Sequence, residues 1–330
     1  MRYEGPKDID RQLNEVPDGG ISIIRHSGME QNRTLLTEQF QGKTIGKGKI
    51  EAYPLFPGIE ASYNTFLASE AAFRHEASEQ IVEIYYCRRG RIGWNMRQGM
   101  SIYLGAGDMT IHSAACCSNS AMMFPPEYSE GLSVSADLSL LKKECPEILR
   151  EAGLDPQSFQ KKFCGVRPVS IPASPELVSI FAPLFSVKDK LRLPYLKLKI
   201  QELFLYLDEF QIKGKELNQY ASQQTEVIKE IHSLLTGHPE RRYTIEELSR
   251  RYLMNTSTLK EVFRRVYGQP IATYMKEYRI HEGMKLLRET DEPVSVIAGK
   301  MGYETPGKFT KAFKDIVQML PREYRKLYKI

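Results

Sequence analysis

The C-terminal third of the chain contains two related segments, Leu259-Lys-Glu-Val-Phe-Arg-Arg-Val-Tyr-Gly268 and Phe309-Thr-Lys-Ala-Phe-Lys314, which stand fifty positions apart. Each segment follows a short apolar stretch, a break and a residue suited to cap a helix. The same offset pairs further positions, namely Leu248 with Ala298, Leu253 with Tyr303, and Asn255 with Thr305. A short helix, a tight turn and a second helix form a helix-turn-helix unit, so the sequence predicts two such units in succession.

Capping residues locate the helices of both units. We expect Thr244 and Asn255 to cap the two helices of the first unit, because their side-chain oxygens can accept hydrogen bonds from backbone N–H groups. The second of these helices is predicted over 256–267. Thr305 is expected to cap the corresponding helix of the second unit. A long amphipathic helix over 271–288 is predicted to connect the units.

The basic charge of the chain is concentrated in this region. From Ser222 onward there are 20 Lys and Arg against 14 Asp and Glu, whereas the preceding residues carry 26 and 27. The C-terminal third therefore has a net charge of +6 and the remainder −1, which together give the +5 of the whole chain. Such an excess suits a domain that faces nucleic-acid phosphates. A solvated basic face is the alternative.

A recognition helix presents its N-terminal half to base edges in the major groove of DNA. The predicted base-contacting residues are Thr256, Ser257, Lys260, Glu261, Gly307, Lys308 and Lys311. Lys260 suits a guanine edge and Glu261 a cytosine amino group. Pro306 and Gly307, in contrast, offer no side-chain hydrogen bond. We therefore predict that the first recognition helix selects the DNA sequence and the second mainly binds the DNA backbone.

Phosphate contacts are expected around the same helices. The predicted phosphate-contacting residues are Thr244, Arg264, Arg265, Thr305 and Lys314. Two recognition helices in one chain should lie about 34 Å apart, which is one turn of DNA. For each Lys taken alone, a solvated helix face is the alternative interpretation.

At these residues the chain resembles the arabinose-regulator (AraC/XylS) family of bacterial transcription factors, over about 225–328. The similarity also includes Tyr274-Met-x-x-x-Arg279, Ile297-Ala-x-x-x-Gly302-Tyr303 and Pro321-x-x-Tyr324-Arg325. The chain departs from the family pattern at Gln318, where Gly is frequent, and at Leu320, where Ser or Thr is frequent. The resemblance implies a sequence-specific DNA-binding regulator, more often an activator, whose partners are double-stranded DNA and RNA polymerase.

Short segments rich in β-branched and aromatic residues precede this region. They lie at 61–67, 80–86, 91–96, 100–104 and 109–112, separated by breaks that contain Gly. Closely spaced short strands of this kind predict an antiparallel sandwich or barrel. The segment Gly105-Ala-Gly-Asp108 resembles the turn of the cupin-like sensor barrel that the family commonly joins to its DNA-binding domain.

The predicted fold class is α+β. It consists of a cupin-like antiparallel barrel or sandwich over about 50–137, helices over about 138–213, a linker over 214–222 and an all-α double helix-turn-helix domain over 223–330. The resemblance implies that residues 1–213 sense a ligand and dimerise the protein.

Aromatic residues on the predicted strands suggest that the barrel binds a small-molecule effector by shape. The candidate ligand-binding residues are Tyr63, Tyr86, Arg88, Trp94 and Tyr103. The Arg88 guanidinium suits an anionic group, and ordinary core packing is the alternative for each aromatic ring. Strand alternation predicts that Tyr85 and Tyr86 cannot both face the interior.

The spacing of histidines and cysteines predicts no metal site and no cofactor. The histidines show neither H-x-H nor H-x-x-x-H spacing. His75 with Glu79 or Glu83 comes nearest to a metal-binding pair, and we interpret these as isolated polar surface residues. The five cysteines include no C-x-x-C pair. Cys116 and Cys117 are interpreted as packing residues on opposite faces of an extended segment.

One predicted helix, over 193–212, carries two apolar stripes. The first stripe should cover the sheet. The second consists of Leu198, Leu205 and Ile212, which recur every seven residues. A coiled-coil-like contact with a second copy of the chain would bury this stripe. Burial on two sides within one subunit is the alternative.

The leading hypothesis is a dimeric, ligand-responsive transcriptional regulator that is not an enzyme. One alternative is a DNA-acting enzyme that transfers an alkyl group to Cys116 or Cys117, which would require an activated thiolate. A ligand-independent dimeric DNA binder is another. The chain starts without a signal-peptide pattern and has no apolar run near the roughly 18 residues that span a bilayer. We therefore predict a cytoplasmic, nucleoid-associated protein.

Overall fold

The computed structural model describes residues 7–26, 44–72, 77–96, 99–118, 120–165, 167–212 and 217–329. The chain forms two compact units, Met1–Ala221 and Ser222–Ile330. Within the predicted linker, residues 214–216 lie outside the described ranges, Tyr220 and Ala221 form a short strand, and a helix begins at Ser222. Of the described helices, none is both long enough and apolar enough to cross a lipid bilayer.

The N-terminal unit is built around one curled sheet, with eleven strands in its described residues. The strands are β1 (Ile21–Arg25), β2 (Thr44–Phe56), β3 (Ile59–Ala72), β4 (Ile81–Gly90), β5 (Ile92–Met96), β6 (Met100–Leu104), β7 (Met109–Ser113), β8 (Ala121–Met123), β9 (Tyr128–Asp137), β10 (Val169–Ile171) and β11 (Tyr220–Ala221). All described pairs are antiparallel except β1 with β2.

The pairing of the long strand β3 explains the curl. β3 pairs with β2 along one edge, and along its other edge it pairs first with β9 and then with β8. The sheet continues from β9 through β4 and β7 to β10, and from β8 through β5 and β6 to β11. The predicted fold class, an antiparallel barrel with trailing helices and a separate all-α domain, is confirmed, although the sheet forms a half-barrel.

Helices cover one face of this sheet. The helices of the N-terminal unit are α1 (Lys7–Gln12), α2 (Ala114–Cys117), α3 (Leu138–Lys143), α4 (Glu147–Glu151), α5 (Pro156–Phe163), α6 (Pro175–Phe181), a 3-10 turn (Ala182–Phe185) and α7 (Asp189–Glu209). The Asp155 carboxylate accepts hydrogen bonds from two backbone N–H groups at the start of α5, and the Ser174 hydroxyl accepts one at the start of α6. Pro follows each cap, at a position where its missing N–H costs no hydrogen bond.

The two faces of the sheet differ in their surroundings because side chains alternate along a strand. On β4, Tyr86 faces the helices and stacks on Phe181 at 4.1 Å between ring centroids. Tyr85 faces the other way and meets Trp94 of β5 edge-on at 5.1 Å. The predicted opposition of Tyr85 and Tyr86 is therefore confirmed. We call the side of β3, β4 and β9 that carries Phe66 and Tyr85, and turns toward β5, β6 and β8, the enclosed face.

The helix α7 differs from its prediction at both ends. It starts at Asp189 and ends at Glu209, so Ile212 lies beyond it. Its first stripe is buried as expected. In the second stripe, Leu198 is 59% exposed, whereas Leu205 and Ile212 are half-buried against the core of their own unit. Leu205 and Ile212 therefore agree with the alternative of burial within one subunit, whereas a contact of Leu198 with a second copy of the chain stays a prediction. The exposed apolar residues of α7 are Leu191, Tyr195 and Leu198.

The adjacent cysteines also depart from expectation. Cys116 and Cys117 lie in the short helix α2, where we expected an extended segment. Cys117 is buried and its Sγ donates to the Ala114 carbonyl, while the Cys116 Sγ lies 3.5 Å from the Ser113 hydroxyl. Both side chains pack within the N-terminal unit, as predicted, but they extend from a helix and not from opposite faces of a strand.

The C-terminal unit is all-α in its described residues. Its helices are α8 (Ser222–Gly237), α9 (Ile245–Arg251), α10 (Thr256–Tyr267), α11 (Ile271–Glu289), α12 (Val294–Lys300), α13 (Pro306–Val317) and α14 (Pro321–Tyr328). The helix pairs α9–α10 and α12–α13 are the two predicted helix-turn-helix units, and α11 is the predicted connecting helix.

The two helix-turn-helix units are not related by one fixed offset of fifty positions along the chain. The helices α10 and α13 are fifty positions apart, but α12 follows α9 at forty-nine. Leu248 therefore corresponds to Ile297, both fully buried, and not to Ala298 as the sequence suggested. The left-handed turn residues, Leu253 with φ 51° and Gly302 with φ 71°, follow the same shorter offset. The second turn thus contains one more residue than the first.

The last residue of each recognition helix is followed by a left-handed residue. After α10 this residue is Gly268, with φ 84°, and after α13 it is Gln318, with φ 60°. A left-handed conformation is unfavourable for a residue with a Cβ atom but not for Gly. Gln318 is one of the two positions at which the chain departs from the pattern of the family that it resembles, and its backbone is therefore strained.

We expect the substitution Gln318→Gly to stabilise the C-terminal unit by about 0.5–1 kcal/mol, because it relieves this strain. Gln318→Ala should give no gain, since Ala keeps the Cβ atom. Urea-induced unfolding followed by far-ultraviolet circular dichroism measures the difference. Equal stability of the Gly and Ala variants would contradict the explanation.

Candidate nucleic-acid interface

Side-chain caps fix the start of each helix in the two units. The Thr244 hydroxyl accepts a hydrogen bond from the backbone N–H of Glu247 at 3.1 Å, and the Glu247 carboxylate accepts one from the N–H of Thr244 at 2.7 Å. Asn255 accepts from the N–H of Thr258 at 2.8 Å. Thr305 accepts from the N–H of Lys308 at 3.3 Å. The three predicted caps are confirmed, and the helix starts are therefore defined locally.

The recognition helix α10 is amphipathic. Leu259, Val262 and Phe263 are fully buried. The opposite face exposes Ser257, Lys260, Glu261 and Arg264, while Thr256 and Arg265 are half-buried. The predicted base-contacting and phosphate-contacting residues of α10 thus lie on one side of the helix, with two of them partly covered.

The second recognition helix, α13, is oriented in the same manner. Phe309 and Phe313 are fully buried, and the exposed residues are Pro306, Gly307, Lys308, Lys311, Lys314 and Asp315. Lys308 forms an ion pair with Glu304, four residues earlier. This exposed pair must be broken before the Lys308 ammonium contacts DNA, which costs little because surface ion pairs are weak.

One buried arginine of α11 binds the loop that precedes the first helix-turn-helix unit. Arg279 donates hydrogen bonds from its Nε atom to the Pro239 carbonyl at 2.7 Å and from a terminal nitrogen to the Arg241 carbonyl at 3.0 Å. Both carbonyls lie in the loop between α8 and α9. Arg279 is only 9% exposed, so these bonds are shielded from water.

The same loop packs against the turn of the second unit. The Arg242 Nε atom donates to the Gly302 carbonyl at 3.2 Å. A Cβ atom at Gly302 would lie 2.7 Å from the Glu240 carbonyl oxygen, a distance that real Cβ atoms do not adopt. Only Gly fits this left-handed position beneath the loop. Loop 238–242 is therefore held by α11 on one side and by the α12–α13 turn on the other.

An aromatic cluster joins α8 to the first unit. The His232 ring stacks on Tyr267 at 4.2 Å between centroids, and its Nε2 atom lies 2.8 Å from the Tyr274 hydroxyl. Burial lowers the pKa of His232 to about 4. This histidine is therefore neutral near pH 7 and adds no positive charge to the DNA-binding unit.

Further basic residues, which the sequence reasoning missed, surround α9. A shallow recess of about 390 Å³ is lined by Arg241, Tyr243, Glu247, Leu248, Arg250 and Arg251. The Arg241 guanidinium lies over the Tyr243 ring at 4.5 Å. Two Arg-Arg pairs in the sequence, on either side of the Thr244 cap, were the available signal. They were overlooked because they lie outside the recognition helices.

The predicted ligand-binding residues do not line one site. Tyr63, Tyr86 and Arg88 lie on the helix side: the Tyr63 hydroxyl donates to the Leu184 carbonyl at 2.8 Å, and Arg88 is bonded to Glu130 at 2.9 Å.

Trp94 and Tyr103 lie on the β5–β6 wall but on opposite faces of it, because Trp94 pairs with Ile102 and Tyr103 with Gly93. Trp94 packs in the cluster of the enclosed face, and Tyr103 is fully buried behind it. Only Trp94 of the five candidates therefore turns toward the enclosed face. The sequence did not reveal this division, because strand alternation alone does not identify which face is enclosed.

The enclosed face carries two buried carboxyl groups that the sequence reasoning missed. Glu60 on β3 and Glu83 on β4 are 4% and 8% exposed. The interpretation of Glu83 as a surface residue is therefore wrong. Burial raises the pKa of Glu60 to about 7 and that of Glu83 to about 8. His75 lies outside the described residues. Within the described ranges, no group of three His, Cys, Asp or Glu side chains could hold a metal ion.

Comparison with known proteins agrees with this geometry. A family model described as a helix-turn-helix domain matches residues 248–327. The uncharacterised HTH-type transcriptional regulator YisR of Bacillus subtilis is 32% identical over 127 residues, which are 38% of this chain and 42% of YisR. An AraC-like transcription regulator of Streptomyces antibioticus is 31% identical over 100 residues, 30% of this chain and 33% of the relative. The chain thus covers less than half the length of either relative.

A solved structure of ToxT from Vibrio cholerae, with a bound unsaturated fatty acid, aligns with 84% of this chain and 98% of its own, at 13% identity and a TM-score of 0.33.

The two helix-turn-helix units, each with a basic recognition helix, define a double helix-turn-helix protein. The C-terminal unit therefore contains an AraC-type helix-turn-helix domain, and the relatives that it resembles are AraC-family transcriptional regulators.

Proposed function

We propose that the protein regulates transcription by binding specific DNA sequences through its C-terminal unit, and that a small molecule bound in the N-terminal half-barrel alters this binding. The observation that carries the proposal is the pair of helix-turn-helix units in one compact body, each with an exposed basic recognition helix. The buried Arg279 and the close approach at Gly302 support a fixed spacing of the two helices.

The two recognition helices are proposed to have different roles. On α10, Ser257, Lys260 and Glu261 are exposed near the helix start and carry groups that can bond to base edges. On α13, Pro306 and Gly307 occupy the first two positions and offer no side-chain hydrogen bond, and the exposed basic groups are Lys308, Lys311 and Lys314. Exposed lysines at a helix start that lacks other base-reading side chains suit phosphate contacts. We assign sequence selection to α10 and general affinity to α13.

Separate substitutions of two lysines test this assignment. Lys260→Ala should relax the base preference at one position of the selected site, with a loss of about 1–3 kcal/mol in discrimination. Lys308→Ala should weaken binding to all sequences alike and reduce the salt dependence by about one unit of slope. The measurement is selection of sites from random DNA by the full chain, followed by titrations at several salt concentrations.

The matched control is Lys143→Ala, which removes an exposed lysine of the N-terminal unit. This variant should keep both the selected sequence and the salt slope. If Lys260→Ala retained the full base preference while Lys308→Ala changed it, the assignment of roles would be reversed.

Dimerisation is proposed to use the N-terminal half of α7. Leu191, Tyr195 and Leu198 are each about 40–60% exposed and follow the spacing of one helical face. Exposed apolar side chains grouped in this way often mark an interface. A second copy of the same helix would cover them symmetrically, and dimers with this symmetry are the commonest oligomers.

The substitution Leu198→Glu should convert a dimeric chain into a monomer, because it places a charge at the most exposed position of the apolar face. Sedimentation equilibrium measures the mass directly. Ile148→Glu, at an exposed position of α4, provides the control and should leave the dimer intact. A monomeric wild-type chain, or a dimer that persists in the Leu198→Glu variant, would refute this interface.

A further inference from the structure

The enclosed face of the half-barrel places two carboxyl groups in one row of neighbouring strands. In the antiparallel register, Glu60 of β3 lies opposite Ser135 of β9, Ser135 lies opposite Glu83 of β4, and Glu83 lies opposite His112 of β7. Side chains at directly opposed positions share a face of the sheet. The two carboxyl groups therefore flank Ser135, whose side chain is small.

These carboxyl groups lack the partners that buried carboxyls normally have. Among the residues that the structure describes, none donates a hydrogen bond to either oxygen of Glu60, and in Glu83 only Oε2 accepts one, from the Ser135 hydroxyl at 3.0 Å. A buried polar group without a partner costs stability, so such groups call for an explanation. The third buried glutamate of the barrel, Glu130, differs: it is bonded to Arg88 at 2.9 Å and to Arg89 at 2.6 Å.

The charged surroundings of the pair contain little to neutralise it. Arg25 of β1 lies near enough to lower the pKa of Glu60 in part, but it is exposed and makes no hydrogen bond to that carboxyl group. The negative charge of Glu60 raises the pKa of Glu83 further. His112, opposite Glu83, has its Nδ1 atom 3.1 Å from the Ser113 carbonyl.

The neighbouring row of the same face adds small and aromatic side chains. It runs from Ser62 through Ser133 to Tyr85 in the strand register. Tyr85 meets Trp94 of the opposite wall, so an aromatic pair lies about 7 Å along the strands from the carboxyl groups. Aromatic rings beside carboxylates are favourable surroundings for an organic cation.

We propose that the effector of this protein is a small organic cation, an amine or guanidine compound, whose charged nitrogen is bound between Glu60 and Glu83. This assignment rests on the proposed effector-binding role of the half-barrel. An ammonium group offers three N–H donors, which would satisfy the three carboxyl oxygens that have no hydrogen-bond partner among the described side chains and backbone groups.

Binding of a cation at this pair carries a proton signature. Because burial raises the pKa of Glu60 to about 7 and that of Glu83 to about 8, Glu83 is largely protonated and Glu60 is about half protonated near pH 7. A bound cation favours the ionised carboxylates, so protons leave the carboxyl groups for the solvent as the ligand binds. The affinity for a cation should accordingly rise as the pH increases through 7–8. A neutral ligand would release no protons.

The test uses isothermal titration of the full chain with three matched pairs of probes: benzylamine and benzyl alcohol, 1,4-diaminobutane and 1,4-butanediol, guanidine and urea. At least one cation should bind at least about tenfold more tightly than its neutral counterpart. Repeating the titration in buffers of different ionisation enthalpy should show proton release. Failure of every cation to bind more tightly than its counterpart, or binding without proton release, would overturn the proposal.

Two isosteric variants and a control locate the site. Glu60→Gln and Glu83→Gln should each weaken cation binding at least about tenfold and reduce the number of protons released. Glu70→Gln, at an exposed position of the same strand β3, should change neither quantity. Cation binding that survives both Gln substitutions would overturn the assignment.

A parallel measurement separates this proposal from the proposed function. DNA binding by the wild-type chain and the Gln variants is titrated without any probe. Retained DNA binding with lost cation binding supports the assignment. A wild-type chain that binds the cation with proton release, but no DNA sequence preferentially, would support the cation site and refute the proposed regulatory function.

Discussion

The geometry of the DNA-binding unit depends on the buried guanidinium of Arg279. Its two hydrogen bonds to the carbonyls of Pro239 and Arg241 are shielded from water, and they hold the loop before the first helix-turn-helix unit against α11. The same loop rests on Gly302 in the turn of the second unit, where a side chain would not fit. One loop is therefore fixed from both sides, and it sets how the two recognition helices lie relative to each other.

This constraint supports the proposal that the two recognition helices of the C-terminal unit bind one DNA duplex together. Each recognition helix is held in place by its own apolar stripe and its own cap, Asn255 for α10 and Thr305 for α13. Those local interactions orient each recognition helix, but they do not set the distance between the two helices. The spacing comes from α11 and the loop that it binds. The differing chemistry of the two exposed faces then permits one helix to select bases and the other to add affinity.

The sequence predicted the elements whose causes are local. The caps and the apolar stripes of the two recognition helices depend on residues within a few positions of one another, and they were located correctly. The start of α7 was misjudged: the helix begins at Asp189, before the predicted start at 193, and Pro194 lies inside it. The extra residue in the second turn was also missed, since a repeat read along the chain does not reveal where an insertion falls.

The features that the sequence did not predict arise from distant residues. Glu60 and Glu83 become neighbours only because β9, which lies far along the chain, pairs between their strands. Tyr63, Tyr86 and Arg88 are separated from Trp94 because one face of the sheet turns toward the helices and the other toward a second wall of strands. Alternation shows that two residues lie on opposite faces, but only the topology identifies the enclosed one.

The central claim is that two recognition helices, fixed in one unit, enter the same side of the DNA. Methylation-protection footprinting of the full chain on a selected DNA site tests this claim most directly. The account predicts that each half-site contains two protected major-groove segments whose centres are about 10 base pairs apart, one turn of the double helix. A single protected segment per half-site, or two segments on opposite sides of the DNA, would contradict it.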